Sequence, residues 1–272
     1  MQKARAVQLT DYDLNFIVET AAPGAVDKER LKILVRSDDT FRQAMVADSR
    51  VFQKVISDEE TFVRISPGLY FEVLLRQALG ELQTAGFTLE RAGTQKVVVF
   101  DAKEVVGLLS RESILDYLAA MLASFTHINT YTSTTRVKPK VWRRVRVNDM
   151  DIDSLIRLCA EAADDMRIRY YKRIADVCLF ILGIFPEHAP FDYGYPSGQV
   201  RPMAAGRIRR GTQEYEDEGR RFYKLAGDHP MAKSMEMTEV FHLLHENFTA
   251  AKKPLNFISA HYLAQRPDSA FP

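Results

Sequence analysis

Six basic side chains fall within eleven residues, Arg136, Lys138, Lys140, Arg143, Arg144 and Arg146, with one aromatic, Trp142, and no acid among them. Cations at that density suit a phosphate backbone, and an aromatic set between them suits stacking on a base. Val137, Val141, Val145 and Val147 fall on one side of a period-2 pattern, while Lys138, Lys140, Trp142, Arg144 and Arg146 fall on the other. The segment 134–148 therefore reads as extended, with a basic face for nucleic acid or another anion. The competing reading is a solvated linker or edge strand. Its charges would pair with Asp149, Asp151 and Asp153 just beyond it, and its cations would discourage edge-to-edge aggregation.

A second group of chemistry-bearing residues lies on helical sequence. Glu161 and Asp164 are about one helical turn apart, and Glu239-x-x-His242-x-x-His245 offers metal-capable side chains at helical spacing. Helical bundles that bind two carboxylate-bridged metals use Glu-x-x-His on two helices, with further Glu residues from two others. One such motif is present at a plausible position, so a metal-dependent enzyme built on Glu161, Asp164, Glu239, His242 and His245 is the alternative reading. Gly194-Tyr-Pro-Ser197-Gly198 lacks the Gly-x-Ser-x-Gly spacing of a nucleophile elbow. Neither a Walker-type phosphate loop nor a dinucleotide fingerprint occurs, so no cofactor is expected and a binding protein is favoured over an enzyme.

A third group is aromatic. Phe191, Tyr193 and Tyr195, interleaved with Pro190 and Pro196 and followed by Arg201, sit in a stretch at 185–206 containing four prolines. Stiffened aromatics with polar tips suit a contact with a protein partner or a second copy.

These groups need elements to hold them. Ser66-Pro67 is a strong helix start, because Ser caps free amides and Pro at the first position loses nothing by lacking one. The helix is expected to run to Thr84 and end at Gly86, with Leu69, Tyr70, Val73, Leu74, Ala78 and Leu82 inward and Glu72, Arg76, Gln77, Gly80 and Glu81 outward. Two β-rich runs around a Gly-containing turn then predict a hairpin at 87–100. Helix followed by hairpin resembles the second half of a winged-helix module, although Glu72 and Glu81 would oppose phosphate. Upstream, Ser37, Asp48 and Ser57-Asp58 precede shorter helical patterns. Asp101-x-x-Glu104 resembles a capping box opening a helix to Leu109, and another follows from Arg111 to Phe125. The Thr/Ser/Asn-rich stretch 126–135 marks a boundary. Beyond Asp149, the stretch 151–184 reads as one very long helix or as one that bends or breaks at Asp164-Asp165, followed by helices at 207–225, 231–252 and 255–263.

Asp176-x-x-Leu179-Phe180-x-x-Gly183-x-Phe185-Pro186, followed by Tyr215-x3-Gly219-x3-Tyr223, resembles segments of uncharacterised prokaryotic helical proteins. The resemblance implies a helical fold and carries no activity. Tyr215, Gly219 and Tyr223 share a helix face, where glycine between aromatics admits a close neighbour.

The expected fold is thus mainly α: a helical N-terminal part, 1–133, containing one hairpin, then a basic segment, then a C-terminal bundle, 149–272. With 272 residues, 46% hydrophobic and a net charge of +1, the chain has an ordinary globular composition, and global basicity gives no argument for a polyanionic partner. The longest apolar run, 177–185, is about half of the roughly 20 residues a bilayer span needs, so no membrane association is expected. Two cysteines in apolar helical sequence, Cys159 and Cys178, read as reduced core residues of a cytoplasmic protein. A wide stripe of Met231, Met235, Val240, Phe241, Leu244 and Phe248, with Leu255, Phe257, Ile258 and Tyr262 behind it, is expected to need a partner helix on each side. That predicts a homodimer through the C-terminal helices.

Overall fold

The computed structural model describes residues 7–92, 95–99, 101–127, 130–138, 141–186, 210–264 and 271. The chain divides into two compact units, one made of Met1–Thr126 with Lys253–Phe271, the other of His127–Lys252. Helix dominates both, and no helix among the described residues is long and apolar enough to cross a membrane.

The first unit opens with five short helices, α1 (Asp11–Ala21), α2 (Lys28–Ser37), α3 (Asp39–Val46), α4 (Ser49–Ser57) and α5 (Glu59–Arg64). Each begins where a polar side chain accepts from an amide that has no partner inside the helix. Thr10 accepts from Asp13, Asp27 from Arg30, Asp38 from Phe41, Asp48 from Arg50 and Asp58 from Glu60. Of the starts the sequence offers, Asp48 and the Asp58 of Ser57-Asp58 are caps, whereas Ser37 and Ser57 sit at helix ends, where their hydroxyls donate to Ile33 and Gln53 carbonyls at 2.8 Å. The aspartate one residue later takes the cap in each case.

Helix α6 (Pro67–Ala85) is capped by the Ser66 hydroxyl and stopped by Gly86, whose φ of 72° is a left-handed conformation that glycine adopts without strain. It is the centre of this unit. Leu69, Tyr70, Phe71, Val73, Leu74, Leu75 and Ala78 are all buried, so apolar contact surrounds most of its circumference. Strands β1 (Thr88–Ala92) and β2 (Gln95–Val99) pair antiparallel, with Thr88 opposite Val99. Helices α7 (Ala102–Leu109) and α8 (Glu112–Ser124) follow and pack on α6.

The burial of α6 corrects two expectations. Glu72 and Arg76, placed outward by periodicity, are 1% and 9% exposed. A helix enclosed in this way has no face to lay in a DNA groove, so the winged-helix reading is not supported. Asp101 likewise makes no capping hydrogen bond to the start of α7, because its carboxylate is taken by the Thr88 hydroxyl and the Lys253 ammonium.

The second unit contains the hairpin β3 (Thr130–Lys138) and β4 (Val141–Asn148), then α9 (Ile152–Glu161), α10 (Asp164–Ile184), α11 (Thr212–Asp228), α12 (Pro230–Ser234) and α13 (Thr238–Glu246). Helices α10 and α11 form the principal pair. A Cβ on Gly219 of α11 would overlap the Phe248 ring and lie 3.0 Å from Cys178 Cβ on α10, so the absence of a side chain is what allows this approach. Cys178 is fully buried, and burial pushes its thiol well above the usual range. The buried Asp176 accepts from Tyr223 Oη at 2.9 Å and from Lys172 Nζ at 2.5 Å, which is how its charge is tolerated.

Helix α14 (Phe248–Ile258) contains Pro254 and continues into a π-helical turn, Ser259–Leu263. The boundary between the two units falls inside it, at Lys252 and Lys253. The residues after that point join the first unit. Lys253 pairs with Asp101, Tyr262 donates to Glu81 at 2.8 Å and meets Phe52 edge-on with ring centroids 5.2 Å apart, and Phe271 stacks on Phe71. A bundle running continuously from 149 to 272 is therefore not what the contacts define.

Most, but not all, of the apolar stripe behind the homodimer expectation is buried within the chain's own two units, Phe257 being half-buried. Val240, Phe241, Leu244 and Phe248 are buried in the second unit, and Leu255, Ile258 and Tyr262 in the first, leaving Met231 and Met235 exposed. Phe191, Tyr193, Tyr195 and Arg201, the Gly194–Gly198 turn and most of the 185–206 stretch lie outside the described residues.

Candidate nucleic-acid interface

The strands β3 and β4 follow from composition. Thr130, Tyr131, Thr132, Thr134, Thr135 and Val137 on one side, and Val141, Trp142, Val145 and Val147 on the other, are β-branched or aromatic residues that favour a pleated backbone. Their register sets Thr132 opposite Arg146, Thr134 opposite Arg144 and Arg136 opposite Trp142. Directly opposed residues in an antiparallel pair occupy the same face, so these six positions share one face of the ribbon. Thr135 opposite Arg143 and Ser133 opposite Val145 belong to the other.

Simple alternation misses one point. The register shifts between Arg136 and Lys138, which brings Lys138 opposite Val141. An extra residue in one strand moves everything beyond it to the other face. Lys138 thus joins the positions of Val141, Arg143, Val145 and Val147 rather than those of Trp142, Arg144 and Arg146, and Arg136 takes its place. Lys140 lies outside the described residues.

The base of the ribbon is tied down by described side chains. Asn148 Oδ1 accepts from the Met150 amide at 3.2 Å. Arg173 of α10 donates to the Asp149 carboxylate at 2.8 Å and to its carbonyl at 3.1 Å. Asp151 accepts from the Ser154 hydroxyl at 2.7 Å, and Arg210 reaches Asp153 at 2.5 Å. Each of these three aspartates thus has a partner outside the basic segment. From Tyr117 to Asn148 the chain carries no acid at all.

The metal-capable residues are not assembled into a site. Glu161 and Asp164 are exposed around the α9–α10 junction, where Asp164 pairs with Arg167 at 2.9 Å. His242 lies over Gly227, 3.6 Å from Asp228, whereas His245 Nδ1 donates to the Arg220 carbonyl at 3.0 Å. Among the described residues no group of three or more His, Cys, Asp or Glu side chains is arranged to hold a metal ion.

Sequence reasoning missed a further polar cluster, the carboxylate of Glu72 with Arg42 of α3, Arg76 and Glu112. Arg76 Nη2 donates to Glu72 at 2.8 Å and to Glu112 at 2.6 Å, and Arg42 makes a bidentate contact to Glu72. Burial raises the Glu72 carboxyl, but the two guanidinium charges and their hydrogen bonds outweigh it and hold the group below the usual carboxylate range. The four formal charges cancel and the donors are satisfied, which marks a structural network. A shallow polar groove among α1, α4 and α5 is lined by Tyr12, Phe16, Glu19, Lys54, Asp58 and Arg64, with Lys54 Nζ 5.6 Å from the Phe16 ring centre.

No protein-family model, curated protein or solved structure matches the chain.

Proposed function

We propose that the protein binds nucleic acid through the β3–β4 ribbon, with phosphate contacts from Arg136, Arg144 and Arg146. The observation that carries this reading is the register, which groups three arginines, a tryptophan and two threonines on one face of a two-stranded ribbon. A ribbon of this type is one of the few protein elements that fits against a nucleic-acid groove or strand. A supporting circumstance is the sequence itself, which carries no acid from Tyr117 to Asn148.

The reading is tested by binding a labelled oligonucleotide across a salt series. Each phosphate contact releases condensed counterions, so log K is expected to fall linearly with log salt, and Arg144→Ala/Arg146→Ala to flatten the slope by about 1.4–1.8. Binding that is insensitive to salt, or unchanged in slope by this double substitution, would exclude the ribbon as the interface.

A further inference from the structure

We infer that the ribbon takes unpaired nucleotides, one of whose bases stacks on Trp142, rather than duplex. The inference rests on the proposed nucleic-acid function and narrows it to single strands. Three features of the backbone and sequence lead to it.

The first is spacing. Positions 142, 144 and 146 on one face of β4 are two residues apart, about 6.8 Å for an antiparallel strand. The rise per nucleotide in a stacked duplex strand is about 3.4 Å, so this repeat matches a strand in which an aromatic plane has been inserted between neighbouring bases. A cation every 6.8 Å beside an aromatic position suits such a drawn-out backbone.

The second is the residue types on that face. Trp142 is the single tryptophan of the chain. In a major groove an indole meets the edges of base pairs, where it has no donor and acceptor pair to match, whereas an unpaired base offers its whole π-face. Asn148, the carboxamide at the same parity, has its oxygen turned to the Met150 amide, and no glutamine lies in β3 or β4. The face is thus provided for backbone charge and stacking more than for reading paired edges.

The third is the irregularity. The register shift between Arg136 and Lys138 lies beside the Arg136–Trp142 pair. A bulge adds local twist and re-aims neighbouring positions, and such irregularities are over-represented next to functional sites.

The single tryptophan makes the test direct. Tryptophan emission, excited selectively over the tyrosines, reports on residue 142 alone, so the intact chain is titrated with short oligo(dT), oligo(U) and a duplex of equal length. Both single strands are expected to quench it, the stronger of the two identifying DNA or RNA as the source. Trp142→Ala should weaken single-strand binding by about 5- to 150-fold, as loss of one stacked base would, while Trp142→Phe retains most of the affinity and duplex binding is unchanged by either. Salt-dependent binding of duplex at least as tight as single strand, with emission unaltered, overturns stacking and leaves the phosphate-binding function standing. Absence of salt-dependent binding to all three overturns both. Circular dichroism of each variant confirms that a loss of affinity does not come from unfolding, and the unsubstituted protein's emission decides the matter without any variant.

Discussion

Two guanidinium groups converge on the Glu72 carboxylate inside the first unit, and the removal of either sign leaves the other uncompensated. Breaking a buried pair of this kind from one side costs about 3–5 kcal/mol, because the stranded charge keeps its desolvation penalty. Glu72→Ala is therefore expected to lower unfolding stability by that amount in urea melts, with Arg42→Ala comparable and Glu112→Ala, whose side chain is part-exposed, less severe. The pH dependence has a definite sign. The Glu72 carboxyl is held below its ordinary value of 4.5 in the native state, so its contribution is complete above that pH and is lost as pH falls through the native value. Acid titration of the Glu72→Gln variant should show a shallower loss of stability below pH about 4.5 than the unsubstituted chain. An identical acid profile would mean that another group carries the titration.

Aspartates at 27, 38, 48 and 58 cap four successive short helices, the last three of them ten residues apart. Helices of six to ten residues are too short to be stable alone, so each depends on its cap and on the apolar face it turns inward. Val51 and Thr61, three residues after Asp48 and Asp58, are buried, whereas Phe41, three after Asp38, is half-buried and α3 buries Arg42 and Val46 instead. Substituting Asp38, Asp48 or Asp58 by Ala is expected to cost about 1 kcal/mol each, read as a lower urea midpoint at unchanged slope, and by Asn much less. Asp48 should be the costliest, since it also holds Arg50, which donates to the Ala21 carbonyl closing α1.

At the scale of the molecule, the segment after Lys252 is a structural part of the first unit. Lys253, Tyr262 and Phe271 contact Asp101, Glu81, Phe52 and Phe71, residues spread over α4, α6 and the start of α7. Removing 253–272 is expected to raise amide exchange in α6 and to lower the stability of the first unit by several kcal/mol, given the loss of buried aromatic area and an ion pair. Unchanged exchange in α6 would show that the tail is dispensable. Tyr262→Phe, which keeps the ring against Phe52 and deletes the hydroxyl that donates to Glu81, should cost about 1 kcal/mol.

What the sequence by itself determined was local. Ser66-Pro67 and Gly86 delimited α6, and Gly219 between Tyr215 and Tyr223 marked a close helix crossing, because caps, left-handed glycines and missing side chains act within a turn or two of themselves. The break expected at Asp164-Asp165 falls two residues earlier, since those aspartates open α10. The basic, acid-free composition of 136–146 was legible for the same reason. Which of those cations share a face was not, since a single bulge beside Arg136 reverses the parity that alternation assigns to Lys138. Nor was the fate of Glu72 and Arg76 readable from a helical wheel, because their inward placement depends on Arg42, thirty residues away on α3. The wide apolar stripe from Met231 to Tyr262 reads as one surface in sequence, and tertiary structure divides it between two units, leaving Met231 and Met235 exposed. Hydrophobic patterning states how much surface must be covered, while only the folded chain decides what covers it.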